Sequence, residues 1–181
     1  MSELSILISL LYPLIFVSPA YVANSSPLFF SSIVQDLHPL DFNKKFIDKE
    51  RILGDGKTIE GTLFGFIMGE FYFLSLKFIN DIFSITFIYY TYYDGTLLVI
   101  GALLGDILGS FIKRRLKIRR GEMLPIFDQL GFLVFALLIY SIFFSPPLNS
   151  DEVIFLLFIT FFVHILTNIG AHSMKIKDKP Y

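Results

Sequence analysis

The sequence predicts an all-α integral membrane protein with five transmembrane helices, and three observations lead to this prediction. Of the 181 residues, 54% are hydrophobic, and the mean hydropathy of +0.67 is too high for an ordinary soluble domain of this size. The apolar residues fall into five runs, each close to the roughly 20 residues that cross a bilayer. Between these runs, the lysines and arginines gather in a few short segments.

The five predicted spans cover residues 4–23, 61–79, 93–112, 126–144 and 153–172. The first is predicted to stop before Pro27, and the fourth is ended by Pro146 and Pro147. The aromatic segment within residues 82–94 is predicted to lie at the membrane interface or to form a short re-entrant piece. We expect a single membrane domain over residues 1–181, with loops at 25–60 and 113–125.

Lysine and arginine are distributed asymmetrically along the chain. Of the fifteen, only Lys77 falls outside the two loops and the tail that follows the fifth span. Cytoplasmic loops carry an excess of positive charge, so we expect these segments and the C-terminus to be cytoplasmic and the N-terminus to be outside. The sequence therefore predicts a multi-pass protein of the cell membrane whose loops face the cytoplasm.

Composition excludes several classes of function. The chain has no cysteine, which excludes disulfides, thiolate metal sites and cysteine nucleophiles. The net charge of −1 selects no partner, and we expect no nucleic-acid partner. Serine-hydrolase and dinucleotide-binding fingerprints are absent. The sequence leaves a homo-oligomer open.

Residues 105–132 place two acids around a cationic patch. Asp106, Ser110 and Lys113 lie at i, i+4 and i+7 on one helix face, and Asp128 opens the next apolar run. One or two carboxylates combined with substrate phosphates are the ligands that Mg²⁺ favours. The other cations of the patch either bind phosphates or only set topology and anchor lipid head groups; they are Arg114, Arg115, Lys117, Arg119 and Arg120.

The segment ILGDGKT, residues 52–58, offers a second anion site. It is not a P-loop, because that motif needs a small residue where Arg51 stands and should follow a strand. Its glycines give a turn whose amides can meet phosphate oxygens, and a helix that begins at Lys57 and Thr58 attracts anions. The alternative is an ordinary helix entry with Asp55 as its cap.

Two further polar groups lie at span ends, and two glycine ladders mark helix contacts. Asn24 either lines a site or precedes a plain helix stop. His164, Asn168 and His172 form a stripe for hydrogen bonding within the bundle or substrate contact rather than zinc binding.

The ladders place a glycine at every fourth residue and predict close helix packing; they comprise Gly61, Gly65 and Gly69, and Gly101, Gly105 and Gly109. Close packing would also bring Lys57 towards Asp106, which the sequence alone does not show.

In order and spacing, the motifs resemble those of the archaeal CDP-archaeol synthases, the CTP-dependent cytidylyltransferases of ether-lipid synthesis. The resemblance covers almost the whole chain, and more distantly it extends to the CDP-diacylglycerol synthases. It is carried by PAYVAN, DGKTIEG, GDILGSFIKRR, FDQL, HILTN and KDKPY.

The resemblance implies a reaction and a set of site residues. CMP would pass from CTP to the phosphate of an isoprenoid ether lipid, 2,3-bis-O-(geranylgeranyl)-sn-glycerol 1-phosphate, with Mg²⁺ as cofactor. Asp106 and Asp128 would bind the metal, and Lys113 would act beside them as a catalytic cation. The implied substrate-binding residues are Asn24, Asp55, Gly56, Lys57, Thr58, Ser110, Arg114 and Asn168.

One departure from the family pattern and several competing functions accompany this resemblance. The signature usually carries another acid three residues after Asp128, where this chain has Gly131, so we expect one firmly held Mg²⁺. The alternatives are a membrane transporter and a non-catalytic lipid-binding membrane protein. A CDP-alcohol phosphotransferase lacks support, because its multi-aspartate signature is missing.

Overall fold

The protein is all helical over the residues that the computed structural model describes, 3–83, 91–119 and 121–173. In chain order the helices are α1 (Glu3–Ile33), α2 (Ile59–Phe83), α3 (Asp94–Arg115), α4 (Phe127–Phe143) and α5 (Ser150–Ser173). No strand forms in these ranges, although the α1–α2 loop contains isolated bridges between residues 39 and 58 and between residues 45 and 51. Most of the aromatic segment at 82–94, together with Arg120 and the KDKPY tail, lies outside the described residues.

Membrane character is evident in the helices and in their surfaces. Three of the described helices are long and apolar enough to cross a bilayer, namely α2, α3 and residues Ser150–Gly170 of α5, whereas α4 is apolar but shorter. Large apolar side chains such as Phe71, Ile142 and Leu166 are about two-thirds exposed, as lipid-facing residues should be. The all-helical membrane class is thus confirmed, while the count of five spans and their orientation stay predictions.

The sequence led us to expect that the first helix stops before Pro27, but α1 continues beyond this residue. It continues to Ile33 with Pro13, Pro19 and Pro27 inside it, so the first loop begins at residue 34 rather than 25. A proline removes the hydrogen bond to the carbonyl four residues earlier, but hydroxyl groups can satisfy such carbonyls in membrane helices. Ser18 donates to the Ile15 carbonyl that Pro19 leaves free, at 2.7 Å. A serine beside Pro27 likewise bonds the preceding turn.

Local capping fixes where α2 and α5 begin. The Thr58 hydroxyl accepts the Gly61 amide at 3.1 Å, which caps the first turn of α2. The alternative in which Asp55 caps this helix is therefore not what the structure shows. At α5, Asn149 and Glu152 exchange side-chain and backbone hydrogen bonds at 3.0 and 2.8 Å, a reciprocal capping box. As predicted, α4 ends before Pro146 and Pro147.

Among the described residues, the larger of two core clusters draws on every helix. Helix α1 packs against the other four, and its Phe16 and Val17 are buried at the centre. They join Phe73, Leu98, Leu133 and Leu156 from α2, α3, α4 and α5. Tyr21 of α1 also bonds Thr160 of α5 by their hydroxyls.

Glycines bring α3 and α4 into backbone contact. A Cβ atom on Gly101 would lie 2.6 Å from Ala136 Cα, and one on Gly105 would lie 2.7 Å from the carbonyl oxygen of Gly131. Residues further along α3 thus meet residues earlier in α4, so the helices run antiparallel. This register places Asp128 about level with Gly109, roughly one helical turn or ~5 Å along the axis from Asp106.

The same antiparallel packing gathers five segments at one end of the bundle. Gly65 of α2 contacts Ala23 of α1 and Leu103 of α3, and the ring of Phe132 in α4 lies against Tyr21 and His164. These contacts bring together the C-terminal parts of α1, α3 and α5 and the N-terminal parts of α2 and α4. We call this the charged end of the bundle, because it carries Lys57, Asp106, Lys113 and Asp128.

A single methyl group tests the α3–α4 contact. We expect Gly105→Ala to destabilise the protein by about 1–3 kcal/mol, because the added Cβ overlaps backbone that cannot move aside cheaply. Gly109→Ala is the matched control: its Cβ meets nothing within 4 Å, so the better helix propensity of alanine should leave stability unchanged or raise it by up to about 1 kcal/mol. Thermal unfolding followed by circular dichroism in micelles measures both, and equal melting temperatures would contradict the register.

Candidate active site

Two acid–lysine pairs form the centre of the charged end. Lys57 Nζ lies 2.5 Å from Asp106 Oδ2, and Lys113 Nζ lies 2.7 Å from Asp128 Oδ2. All four side chains are only partly exposed, at 22% and 28% in the first pair and 16% and 26% in the second. Each pair therefore sits where screening by water is incomplete, yet each remains open to a solute.

The first pair joins the turn before α2 to the middle of α3. Thr58 caps α2, so Lys57 stands just before the first helical turn, where the backbone amides favour anions. The backbone of Lys57 is held as well, because its carbonyl accepts the Leu40 amide at 2.8 Å. The contact between Lys57 and Asp106 that the glycine ladders suggested is thus present.

The second pair joins the end of α3 to the start of α4. Lys113 stands in the last turn of α3, where cations complement the helix dipole, and Asp128 stands in the first turn of α4, where anions do. Asp128 Oδ2 also accepts the Leu124 amide at 2.9 Å. The acid is therefore fixed by the local backbone as well as by the lysine.

The loop over residues 34–58 is organised around one buried carboxylate, Asp41, which is 5% exposed. Arg51 donates to both of its oxygens, at 2.6 and 3.1 Å. Three backbone amides also donate to it, at 2.9–3.1 Å, from Leu53, Gly54 and Asn43. This carboxylate fixes the start of the segment that ends in Lys57.

Hydrogen bonding outweighs burial in setting the pKa of Asp41. Burial alone would raise the pKa of this carboxyl, but the Arg51 guanidinium and the three amides stabilise its charged form. The pKa of Asp41 therefore lies well below its ordinary value. The Asp41 carboxylate therefore stays ionised at ordinary pH as long as the loop is folded.

Arg115 attaches this loop to α3. Its guanidinium contacts Asp48 at 3.0 Å and the Arg51 carbonyl at 2.5 Å. It also stacks over the rings of Phe46 and Phe111, 4.7 and 4.9 Å from their centroids. These contacts give Arg115 a structural role. The sequence had suggested either phosphate binding or head-group anchoring for this residue.

Arg114 faces the glycine turn of the DGKT segment. A Cβ atom on Gly54 would lie 3.7 Å from Arg114 Cδ, and the Nε atom of Arg114 is buried with no hydrogen-bond partner among the residues that the structure describes. The side chain also lines a polar cleft of about 290 Å³ with Glu50, Lys117, Ile118 and Arg119. Arg114 thus stands between this polar cleft and the glycine turn of residues 54–57, which we call the DGKT turn, while Lys117 and Arg119 remain exposed.

The remaining residues predicted to bind substrate are distributed as follows. Asp55 is exposed and contacts Arg51 at 2.8 Å, and the neighbouring Gly56 is exposed in the same turn. The Thr58 hydroxyl is committed to the α2 cap, as described above. Ser110 is half-buried on α3, one turn beyond Asp106, so the predicted shared face with Lys113 holds.

Asn24 and Asn168 are contributed to the charged end by α1 and α5. Asn24 is half-buried inside α1 and follows Ala23, which packs on Gly65; it does not mark the end of the helix. Asn168 is half-buried on α5, where its amide lies 3.4 Å from His164 Nδ1. Since His164 lies against Phe132 and α4 runs antiparallel to α5, Asn168 is roughly level with Asp128.

The acids of the charged end fit a metal that arrives with phosphate. Within residues 3–83, 91–119 and 121–173, no group of three His, Asp or Glu side chains forms a metal cluster. Two carboxylates from adjacent helices are what remains, and Mg²⁺ commonly uses one or two such ligands together with substrate oxygens and water. The donor set fits this kind of site rather than a cage made by protein alone.

Sequence reasoning missed Asp41, Arg51 and the role of Arg115. Periodicity could not reveal them, because Asp41 and Arg51 lie in an irregular loop and meet only when that loop folds on itself. The one available signal was the density of charge in residues 41–57. It indicated a polar loop without indicating which acid was buried.

Acidification should release the loop at Asp41. A depressed pKa means that the stabilisation is fully present above the ordinary value of about 3.9 and is lost as pH falls through the lower, folded pKa. The protection of the Leu53 and Gly54 amides, measured relative to the intrinsic exchange rate at each pH, should therefore stay high at pH 5 and above and fall only under stronger acid. Asp41→Asn should lose about ten- to hundredfold of this protection at pH 7. Equal protection in both proteins would contradict this role.

Comparison with known proteins identifies the family. Residues 4–181 match the family model described as CarS-like, CDP-archaeol synthase. The CDP-archaeol synthase of Thermofilum pendens is 40% identical over 97% of this chain and 86% of its own length. The enzyme of the same name from Methanococcus aeolicus is 40% identical over 97% and 98%, and that from Sulfolobus acidocaldarius is 38% identical over 97% and 100%.

A solved structure described as an intramembrane enzyme for archaeal membrane lipid biosynthesis has the same fold, with a TM-score of 0.70. Its sequence is 31% identical, and the match covers 88% of this chain and 94% of that one. The resemblance drawn from the motifs is thereby confirmed. The chain belongs to the CarS-like family of CDP-archaeol synthases.

Proposed function

We propose that the protein transfers CMP from CTP to the phosphate of 2,3-bis-O-(geranylgeranyl)-sn-glycerol 1-phosphate. The products are the unsaturated CDP-archaeol and pyrophosphate. Family membership makes the chain a CTP-dependent cytidylyltransferase that acts on a lipid phosphate; the unsaturated lipid and the chemistry below are our proposal. The observation that supports the chemistry is the pair of acid–lysine contacts at one end of the bundle. The choice of the unsaturated lipid follows from the family resemblance alone.

The main requirement of the reaction is to neutralise the repulsion between two anionic reactants, rather than to supply a strong base. An oxygen of the lipid phosphate attacks the α-phosphorus of CTP, the bond from that phosphorus to the bridging oxygen of the β-phosphate breaks, and pyrophosphate leaves. The attacking phosphate is already ionised near neutral pH, so no residue has to remove a proton. Both reactants are anionic, so cations must screen their repulsion and hold them in line.

The cations of the charged end are suited to this task. Lys57 stands before the N-terminus of α2 and beside the DGKT turn, where Asp55 and Gly56 are exposed and leave the backbone open to a phosphate. Lys113 and Arg114 approach from the last turn of α3. We assign these three side chains to the phosphates of CTP and the lipid, with Ser110, Thr58, Asn24 and Asn168 around them.

Asp106 and Asp128 would hold Mg²⁺, which when bound would stabilise charge on the leaving pyrophosphate. We propose that these acids hold one ion and that substrate oxygens alone hold any second. Gly131 limits the count: a Cβ there meets nothing within 4 Å, so space for a further acid exists but the ligand is missing. Two tight metal sites without CTP would contradict this proposal.

We place the charged end in the cytoplasm. The support is the concentration of cations in the loop and α3 segments at this end, together with Lys77, the exception, which is paired with Asp81 near the other end of α2. CTP is a cytoplasmic metabolite, so this orientation gives the nucleotide direct access. The lipid phosphate would reach the same end from the inner leaflet.

The test is to incubate purified protein with CTP, Mg²⁺ and the unsaturated ether-lipid phosphate and to measure pyrophosphate and CDP-lipid. We expect Asp106→Asn and Asp128→Asn each to lower turnover by about a hundredfold or more, because each removes a metal ligand. Arg119→Ala is the control for loss of a nearby charge and should turn over close to the wild-type rate. Folding is checked by circular dichroism.

Wild-type rates in either aspartate variant would remove that acid from the mechanism. Absence of product from the wild-type protein with lipid and nucleotide present would refute the function itself.

A further inference from the structure

We propose that Lys57 and Lys113 occupy the positions at which a divalent cation would bind Asp106 and Asp128, so that the metal enters only together with a polyphosphate. The inference rests on the proposed assignment of these acids as metal ligands. It adds an order of binding: the free metal ion binds weakly, and the metal binds well only as a complex with the nucleotide.

The two lysine ammonium groups already occupy positions on the carboxylates that a metal ion would use. Each lysine lies at hydrogen-bonding distance from one carboxylate oxygen, 2.5 Å for Lys57 and Asp106 and 2.7 Å for Lys113 and Asp128. An ammonium group at this distance stands where a metal ion would coordinate the same oxygen. The ammonium group takes up one lone-pair direction of that oxygen and places a positive charge beside it, so it competes with a divalent cation for the carboxylate.

The charges of the two pairs are balanced without a metal. Two carboxylates face two ammonium groups, and all four side chains are partly buried, where charges interact more strongly than in bulk water. A divalent cation that entered alone would leave an excess of positive charge in this space. A cation that enters with the triphosphate of CTP brings more negative than positive charge, so its entry is favourable.

A bound triphosphate would give the two lysines an alternative partner to the carboxylates. Each carries its charge on a flexible four-carbon stem with three donors, and ammonium groups are common phosphate ligands. Lys57 borders the DGKT turn, and Lys113 precedes Arg114, which faces Gly54 of that turn. A triphosphate bound there would accept both lysines and release the carboxylates to the metal in the same step.

The lysines differ in this respect from the other cations described. Arg51 and Arg115 are fixed by several groups at once, and their acids, Asp41, Asp55 and Asp48, belong to the loop rather than to the α3–α4 junction. Lys77 forms a lysine–aspartate pair of the same kind with Asp81 at 3.2 Å, but that pair lies elsewhere on α2. It therefore provides a matched control.

The experiment measures binding of Mn²⁺, as a spectroscopic probe for Mg²⁺, by electron paramagnetic resonance in micelles without nucleotide. Wild-type protein should bind Mn²⁺ weakly. Lys57→Met and Lys113→Met should each bind it about tenfold more tightly, because each removes one competing charge at contact distance. Lys77→Met should bind it as weakly as wild type. Adding Asp106→Asn to Lys57→Met should abolish the gain.

Tight Mn²⁺ binding by the wild-type protein alone, or unchanged affinity in both lysine variants, would overturn the proposal. A measurement on the unmodified protein guards against misfolded variants: Mg²⁺ with CTP should raise the melting temperature, whereas Mg²⁺ alone should not. A shift with Mg²⁺ alone equal to that with Mg²⁺ and CTP would also overturn it.

Failure here is distinguishable from failure of the proposed function. If wild-type protein forms CDP-lipid but the lysine variants gain no affinity for Mn²⁺, the order of binding is refuted and the enzyme assignment stands. If no CDP-lipid forms, the function fails whatever the lysine variants show.

Discussion

The backbone contact between α3 and α4 is the constraint on which the site depends. Gly101 and Gly105 let the two helices meet without intervening side chains, and this sets Asp106 and Asp128 about one turn apart at the same end of the bundle. Two carboxylates so placed would repel each other unless cations accompanied them. The adjoining lysines supply that charge from the turn before α2 and from the end of α3.

The α1–α2 loop is a second rigid part rather than a tether. Asp41 gathers Arg51 and three backbone amides, and Arg115 binds the folded loop to α3. Together these contacts present Lys57 and the glycine turn to Asp106 from a fixed direction. The polar groups of the loop are thus divided between those that hold the loop together and those, such as Lys57, that we propose to face a substrate.

The sequence predicted helices α2 to α5 closely, because apolar runs and the prolines after α4 mark them directly. It failed at the end of α1, because Pro27 suggests a stop, whereas serine hydroxyls bond the carbonyls of the turns beside the prolines. Asp106 and Lys113 could be placed on one face from helical spacing alone. The glycine ladders suggested that Lys57 approaches Asp106 but could not show the pairing, because it joins segments 49 residues apart. The burial of Asp41 gave no signal, because it depends on how an irregular loop folds on itself.

The central claim is that the α-phosphorus of CTP is attacked while the two acids hold a metal. The most direct measurement follows labelled phosphorus from CTP into products with the ether-lipid phosphate as acceptor. Label in the α-position should appear in the lipid, and label in the γ-position should appear only in pyrophosphate. Transfer of the γ-label to the lipid would mean phosphoryl rather than cytidylyl transfer and would contradict the account.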